Sequence, residues 1–210
     1  MGYDSVKVDL TELPMDYSIR IPILVTGSGI ANALDSALQK KDSAVAKAID
    51  TYGFGKLEND NTITEKLWNP STKEQYIDTI NGLSADMFNN DVYDTYRLAL
   101  SATEYGKYVS ALTSVLKYET MAGVEGVDRG TVARAYGVDT FPVADAVLGD
   151  VKGYFFNPIA VVGDAFFDAF VQHVSPQGWP GYFVFEGNIL FGAKLVENKA
   201  IFKLVDEISA

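Results

Sequence analysis

The distribution of hydrophobic periodicity along the chain is the feature that most restricts its fold. Up to Met121, apolar side chains recur at helical spacing, as Tyr108, Leu112 and Val115 do in a helix predicted to run from Glu104. From Val124 onward, glycines separate short β-rich segments, and no repeated βαβ period is visible. Helices first and strands last favour an α+β fold over a doubly wound one.

Two helices are predicted between the first strands and residue 54. Residues 30–41 carry apolar side chains at helical spacing. Asp42 or Ser43 is suited to cap a second helix, which Gly53 would close. The polar segment Phe54–Asn61 is then expected to be a loop.

A further helix is predicted after Pro70, since proline disfavours helical backbone in the residue before it. Ser71 and Glu74 fit the spacing of a capping box, so this helix is expected to begin at Ser71 and to end near Asn81.

Strands are predicted at both ends of the chain. Residues 5–12 alternate between apolar and polar side chains, and Tyr17–Val25 is almost entirely apolar. Gly187-Asn188 suits a two-residue hairpin turn, so residues 182–204 are expected to form adjoining antiparallel strands with Phe202 buried. The β-rich segments of the second half are Val132–Ala135, Val138–Phe141, Tyr154–Val162, Tyr182–Glu186, Ile189–Leu195 and Ala200–Leu204.

Charge and composition exclude several classes of function. Seventeen basic and 28 acidic residues give a net charge of −11, which disfavours sequence-independent binding to nucleic acid. The chain has no cysteine and a single histidine, so thiolate metal sites and most zinc or histidine-based catalytic designs are excluded. Neither a signal peptide nor a membrane-spanning segment is predicted, and synthesis in the cytoplasm is expected.

Gly27-Ser28-Gly29, between a strand and a helix, resembles part of a dinucleotide-binding loop. Asn32 occupies the place of the third glycine of that fingerprint. We therefore interpret the segment as a turn, and no cofactor and no cofactor-binding residue is predicted.

Asp164 and Asp168 are four residues apart and would share one face of a helix. Paired carboxylates can divide acid and base roles, which leaves a carboxylate-dependent hydrolase as an alternative of another class. The simpler interpretation is that Asp164, after Gly163, caps a helix and that Asp168 lies on its solvated side.

The remaining polar candidates indicate structural roles. The sequence lacks the Gly-x-Ser-x-Gly motif of a serine nucleophile that His173 could activate. We therefore expect His173 at a helix end. Glu119, Glu125 and Asp128 lack the EF-hand pattern and are typical of a solvated loop. The sequence therefore predicts no catalytic residue and no metal ligand, and the protein is not expected to be an enzyme.

Four segments occur in an order that resembles the major capsid proteins of phages with the HK97 fold. The first is Trp68-Asn69-Pro70-Ser71 before a helix, and Ser28–Ile49 would then correspond to the family's spine helix. Lys199 stands where the family usually has a proline. The other three segments are Gly130–Pro142, Tyr154–Val162 and Gly192–Leu204.

The resemblance implies an α+β, HK97-like fold, with a helical N-terminal half that holds the spine helix and a mostly antiparallel, β-rich C-terminal half. Residues 1–210 are expected to form a single unit with three sub-parts. These are the N-terminal strands and spine helix in 1–67, a mixed helical region in 68–152 and a β-rich closing region in 153–210. Residues 1–27 look too short for the N-terminal arm and the extended loop, so we expect these to be reduced or missing.

The resemblance also implies a function, that of a structural subunit which self-assembles into a viral capsid or virus-like particle enclosing nucleic acid. The expected partners are many copies of the chain itself and other virion proteins, with no specific nucleic-acid recognition and no membrane. The expected location is the virion, after synthesis in the host cytoplasm. The alternative within this class is another virion or phage-tail structural protein that forms rings or tubes.

Overall fold

A computed structural model describes residues 13–22, 28–119, 133–135, 137–167, 171–174 and 181–208. It confirms the α+β class, with the long helices in the first 119 residues and most strands after them. Its helices are α1 Ser28–Glu58, α2 Lys73–Asn89, α3 Ala102–Glu119 and the short α4 Asp145–Leu148, with 3₁₀ turns at Pro158–Ala160 and Asn198–Ala200. Its strands are β1 Leu13–Pro22, β2 Thr64–Leu67, β3 Tyr96–Ser101, β4 Ala133–Ala135, β5 Val138–Val143, β6 Gly153–Phe156, β7 Val161–Phe167, β8 Val171–Val174, β9 Tyr182–Leu195 and β10 Ile201–Val205.

Two compact units share these elements. One unit comprises the chain up to Gly53 together with Gly163–Lys194, and the other comprises Phe54–Val162 together with Leu195–Ala210. We refer to them as the first and the second unit. The sub-parts 1–67, 68–152 and 153–210 that the sequence suggests stay a prediction.

The sheet of the first unit is built on the long strand β9. Strand β1 pairs with it antiparallel over ten residues, from Leu13 opposite Phe191 to Pro22 opposite Tyr182. Strands β7 and β8 also pair with β9. Val45 of α1 is buried with Ile189 and Phe191 of this strand, and Tyr52 contacts the Phe191 ring edge-to-face at 5.3 Å.

Helix α1 is one helix where the sequence predicted two and a loop. Asp42 lies in the middle of this helix and therefore does not cap one. Its side chain is exposed to solvent, and its carboxylate pairs with the Lys41 Nζ at 3.0 Å. The helix continues through Gly53 because its apolar stripe continues: Phe54 stacks on Tyr154, and Leu57 is buried in the core of the second unit. The predicted spine helix is thus present and is longer than Ser28–Ile49.

The hairpin predicted at Gly187-Asn188 is wrong, since β9 passes through both residues without turning. Gly187 lies opposite Tyr17 and Asn188 opposite Asp16, so long-range pairing with β1 keeps the backbone extended. Strands β9 and β10 therefore belong to different sheets. The predicted burial of Phe202 in β10 is confirmed, since 2% of this residue is exposed.

The second unit contains a six-stranded mixed sheet in the order β2-β10-β6-β3-β5-β4. The segment Tyr154–Val162, predicted as one strand, is broken at Asn157, whose side chain caps the 3₁₀ turn that follows. Gly153 is required where β6 pairs with β3, because a Cβ there would lie 2.2 Å from the Ala99 carbonyl oxygen.

Helices α2 and α3 supply much of the aromatic core of the second unit. Trp68, Tyr76 and Tyr108 are buried in series, with ring centroids 5.8 and 5.6 Å apart. Tyr108 and Leu112 are buried at the helical spacing that the sequence predicts. Of the other predicted features, residues 5–12, 23–27 and 120–132 lie outside the described part of the chain.

The N-terminus of α2 has a capping box, shifted by one residue from the predicted one. Thr72 is the N-cap: its hydroxyl accepts a hydrogen bond from the Gln75 amide at 3.4 Å, and the Gln75 side chain accepts from the Thr72 amide at 3.3 Å. Ser71 lies one residue further out, where its hydroxyl donates to the Gln75 side chain. The helix runs to Asn89, beyond the predicted end at Asn81, since Leu83 and Met87 extend its buried stripe.

Replacing the cap is expected to destabilise the protein. Thr72→Ala should lower the free energy of unfolding by about 1 kcal/mol, the usual cost of losing an N-cap side chain. Ser71→Ala is the matched control and should cost clearly less in the same urea titration. Equal losses from both substitutions would contradict the assignment of Thr72 as the cap.

Phe202 tests the core of the second unit. Phe202→Ala should lower the free energy of unfolding by about 3–5 kcal/mol, since truncating a buried phenylalanine leaves a cavity. Leu67→Ala, on the neighbouring strand β2 and 52% exposed, serves as the control. A loss at Phe202 no larger than the one at Leu67 would contradict the packing of β10.

Candidate functional surfaces

An acidic cleft of about 760 Å³ lies in the second unit. The C-terminus of α1, the start of α3, helix α4 and the end of β10 contribute its walls. Two lysines, Lys152 and Lys203, face a larger number of carboxylates. The acidic residues of the lining are Glu58, Glu65, Glu104, Asp145, Asp150, Asp206 and Glu207.

Lysines neutralise three of these carboxylates. Glu65 lies 3.3 Å from the Nζ of Lys203, a residue only 8% exposed. Asp206 lies 2.9 Å from the Nζ of Lys152. Glu104 receives the Lys107 Nζ at 2.6 Å. The Glu65–Lys203 pair joins β2 to β10, and the Glu104–Lys107 pair lies within α3, so these carboxylates have partners inside the fold.

Asp145 is the first residue of α4, and its carboxylate caps the N-terminus of α3. The Thr103 amide and hydroxyl both donate to its carboxylate, at 3.1 and 2.7 Å. These hydrogen bonds hold the pKa of the Asp145 carboxyl below its ordinary value of 3.8, because they favour the charged form. Ser101 accepts from the Glu104 amide at 3.3 Å, so two side chains satisfy amides of the first turn.

Tyr154 contributes a buried phenol to the same unit. The residue is 0% exposed, and its hydroxyl has no hydrogen-bond partner in the described part of the chain. Burial raises the pKa of this phenol, and the nearby Glu58 carboxylate adds to the effect. The phenol therefore stays protonated at neutral pH and is not suited to act as a base.

The described residues do not bring together three or more metal-ligating side chains of a kind that could hold an ion. The cleft thus combines lysine-paired carboxylates with a capping carboxylate. These carboxylates stabilise the fold through ion pairs and a helix cap, and they give the surface of the cleft a negative charge.

An apolar surface lies elsewhere in the second unit, and we refer to Phe88, Tyr93 and Ile159 as the Tyr93 patch. These side chains are 59%, 54% and 65% exposed. Phe88 and Tyr93 contact each other edge-to-face, with centroids 4.9 Å apart. Tyr93 and Ile159 line a groove of about 570 Å³ together with Asp91, Asp94 and Glu197, among others.

Hydrogen bonds hold the backbone beneath the patch. The Asn157 amide side chain donates to the Tyr93 carbonyl at 3.0 Å, and its oxygen accepts from the Ile159 amide at 3.0 Å. The Tyr93 hydroxyl donates to Asp91 at 3.0 Å, which raises the pKa of that phenol. The turn has positive φ angles at two non-glycine residues, Asp91 (62°) and Asp94 (91°).

The structure does not support the paired carboxylates that the sequence suggested. Asp164 lies within strand β7, so it is neither a helix cap nor part of a helical face. Asp168 lies outside the described residues. His173 is in strand β8, opposite Val184, and not at a helix end, because β8 pairs with β9.

The other sequence candidates are separated along the fold. Ser28 and Gly29 begin helix α1, and Gly27 lies outside the described residues. Glu119 is the last residue of α3, while Glu125 and Asp128 again lie outside the described part.

Sequence reasoning missed both the Tyr93 patch and the Asp145 cap. Asn157-Pro158 was a usable signal for a turn at the patch, since asparagine before proline favours turn initiation. The exposure of Phe88 had no signal, because an aromatic residue at a helix end is as consistent with a core position. The contact between Asp145 and Thr103 joins residues 42 positions apart and depends on the pairing of β3 with β5.

Within the described ranges, no helix combines the length and apolar character that crossing a bilayer requires.

Comparisons with known proteins relate the chain to viral shells. No protein-family model and no curated protein sequence matches it. A structure from Mycobacterium phage Che8 is similar with a TM-score of 0.60 and 15% identity, over 97% of this chain and 76% of that one. The capsid of the cyanophage P-SCSP1u is similar with a TM-score of 0.59 and 14% identity, over 98% and 79%. A virus-like particle from Pyrococcus furiosus is similar with a TM-score of 0.53 and 14% identity, over 93% of this chain and 76% of that one.

These similarities define the class of fold. The chain has the HK97-like fold of phage capsid proteins over nearly its whole length, and the fold that the ordered motifs implied is confirmed.

Asp145 is expected to make stability depend on acidic pH. Its folded-state pKa is depressed, so its stabilising contribution is present above the unfolded pKa and is lost as the pH falls through the lower folded value. Asp145→Asn should therefore destabilise the protein at pH 7 and reduce the loss of stability on acidification below about pH 4. Urea titrations at several pH values measure both effects, and identical pH profiles for variant and wild type would contradict the role of Asp145.

Proposed function

We propose that this chain is a structural shell subunit that self-assembles into a viral capsid or virus-like particle enclosing nucleic acid. The observation that carries the proposal is the capsid-protein fold, which extends over 97–98% of the chain in the comparisons with the Che8 and P-SCSP1u structures. The ordered motif series, found from sequence alone, supports the same assignment.

We further propose that the protein is not an enzyme. Three carboxylates of the acidic cleft form ion pairs with lysines and a fourth caps α3. The hydrolase alternative rested on Asp164 and Asp168 sharing one side of a helix, and the position of Asp164 in a strand removes that premise.

The partners we propose are many copies of the chain itself, together with other virion proteins. A net charge of −11 argues against nucleic-acid recognition, since it repels phosphate. Negative charge on the inner wall would keep packaged nucleic acid from adhering to the shell. In this proposal, the protein is made in the host cytoplasm and resides in the virion.

Assembly is expected to rise with ionic strength and on acidification towards the pI near 4.5. Like charges accumulate when copies associate, and salt shortens the Debye length from about 10 Å at 0.1 M to about 3 Å at 1 M. Light scattering and negative-stain microscopy measure particles across salt and pH. Closed shells support the proposal, rings or tubes favour another virion or tail protein, and a monomer at high concentration under all conditions contradicts both.

If apolar contacts dominate the interfaces between copies, the particles are expected to remain assembled as the salt concentration rises. Excluded anions such as sulfate strengthen apolar contacts, so ammonium sulfate should promote assembly at least as well as sodium chloride of equal ionic strength. Particles that dissociate as salt increases would show that interfacial ion pairs dominate.

A further inference from the structure

We propose that the Tyr93 patch of one copy contacts helix α1 of a second copy, on the exposed face that carries Lys40 and Lys47. This inference rests on the proposed self-assembly and names the two surfaces that meet. The α1 face consists of the exposed residues Lys40, Ser43, Ala44, Lys47 and Thr51, and we refer to it as the α1 lysine face.

The first observation is the exposure of large apolar side chains at one place. Phe88, Tyr93 and Ile159 are each more than half exposed, although they belong to the end of α2, the following turn and the 3₁₀ turn before β7. Covering them removes apolar surface from water, which favours association. Tyrosine is among the residues enriched at the few positions that carry most of the binding energy of protein interfaces.

The second observation is that the patch is already held in position. Asn157 bonds the backbone on both sides of the patch, at Tyr93 and at Ile159, and the Tyr93 hydroxyl bonds Asp91. A further bond from the Tyr96 hydroxyl to the Val92 carbonyl, 2.7 Å long, secures the same turn. Little ordering entropy is then lost on contact, so more of the apolar gain appears as affinity.

The third observation is charge complementarity. The groove beside the patch is lined by three acidic residues, Asp91, Asp94 and Glu197, and by one basic residue, Lys199. An occupant with positive charge is favoured there. The α1 lysine face supplies two lysines, and the exposed Asp50, seven residues after Ser43, lies at its edge, so the excess charge on this side of the helix is positive.

The α1 lysine face also has the right shape for protruding side chains. Lys40 and Lys47 are seven residues apart, so they lie on nearly the same side of the helix. Ser43, Ala44 and Thr51 are small, which lets large residues such as Tyr93 and Ile159 approach the helix between the lysines. The opposite side of this part of α1, which includes Val45 and Tyr52, packs on β9 and is not available.

A contact between two different surfaces is head-to-tail. Each copy then has one patch and one α1 lysine face free for two neighbours, and such contacts close into rings when the rotation permits. This geometry accords with a subunit that adds many copies, whereas a contact of the patch with itself would stop at a dimer.

The apolar part of the proposal is tested with two matched substitutions. Ile159→Ser removes an exposed branched residue from the patch, and Ile208→Ser removes one that is 54% exposed outside it. The critical concentration for assembly, measured by light scattering, should rise about tenfold with Ile159→Ser and stay within about twofold with Ile208→Ser. Equal behaviour of the two variants would overturn the proposal. Thermal unfolding of the monomers checks that both variants are folded.

The electrostatic part is tested with a charge swap. Lys47→Glu should weaken assembly more than Lys194→Glu, a control on β9 that changes the net charge by the same amount. Combining Lys47→Glu with Glu197→Lys restores the net charge of the wild type and should also restore assembly, because the opposite charges again face each other. Failure of this rescue, or equal effects of Lys47→Glu and Lys194→Glu, would overturn the assignment to α1.

The two proposals fail in different ways. A wild-type chain that stays monomeric at all salt and pH values contradicts the shell function, and the contact falls with it. A wild-type chain that forms particles, while the Ile159 and Lys47 variants assemble like their controls, leaves the shell function intact and overturns this contact alone.

Discussion

Strand β6 is the element on which the second unit depends, because it pairs with β3 on one edge and with β10 on the other. The close approach to β3 is possible only because Gly153 has no side chain, and the next two residues, Tyr154 and Phe155, are fully buried. Through β10 the strand is linked to β2, and through β3 to β5. Segments next to this sheet contribute to both the acidic cleft and the Tyr93 patch, and Ile159 of the patch follows shortly after the end of β6.

The predictable parts of the fold are those that local physics determines. Tyr108 and Leu112 were expected on one side of a helix and are buried there, since a stripe at helical spacing needs no partner to be recognised. The predicted turn at Gly187-Asn188 is wrong because pairing with β1, some 170 positions earlier, satisfies that backbone in extended form. The predicted break in α1 at Asp42 is wrong because the packing of Val45 on β9 favours a continuous helix more than the capping preference of Asp42 favours a new start.

The candidate surfaces were less predictable than the fold, and for a physical reason. An apolar patch such as Phe88, Tyr93 and Ile159 exists because no other part of the chain covers these side chains, and their exposure depends on the complete tertiary structure. The same limit applies to Asp145, whose carboxylate caps a helix that begins 43 positions earlier in the chain. The motifs that resemble phage capsid proteins succeeded where these inferences failed, because glycine and proline positions follow from backbone geometry, and the fold is shared at 10–15% identity.

If the chain assembles as proposed, its carboxylates have to be compatible with the association of acidic copies. Lys203, Lys152 and Lys107 each neutralise a carboxylate close by in the fold, so these charges are compensated before any copy approaches. The remaining excess gives long-range repulsion, which opposes collapse into irregular aggregates and which salt screens at distances beyond the Debye length. In the proposed shell, any single contact can then be weak, since a closed assembly gains from many contacts at once. Weak contacts that repulsion keeps reversible allow wrongly placed copies to leave, and this reversibility favours regular particles.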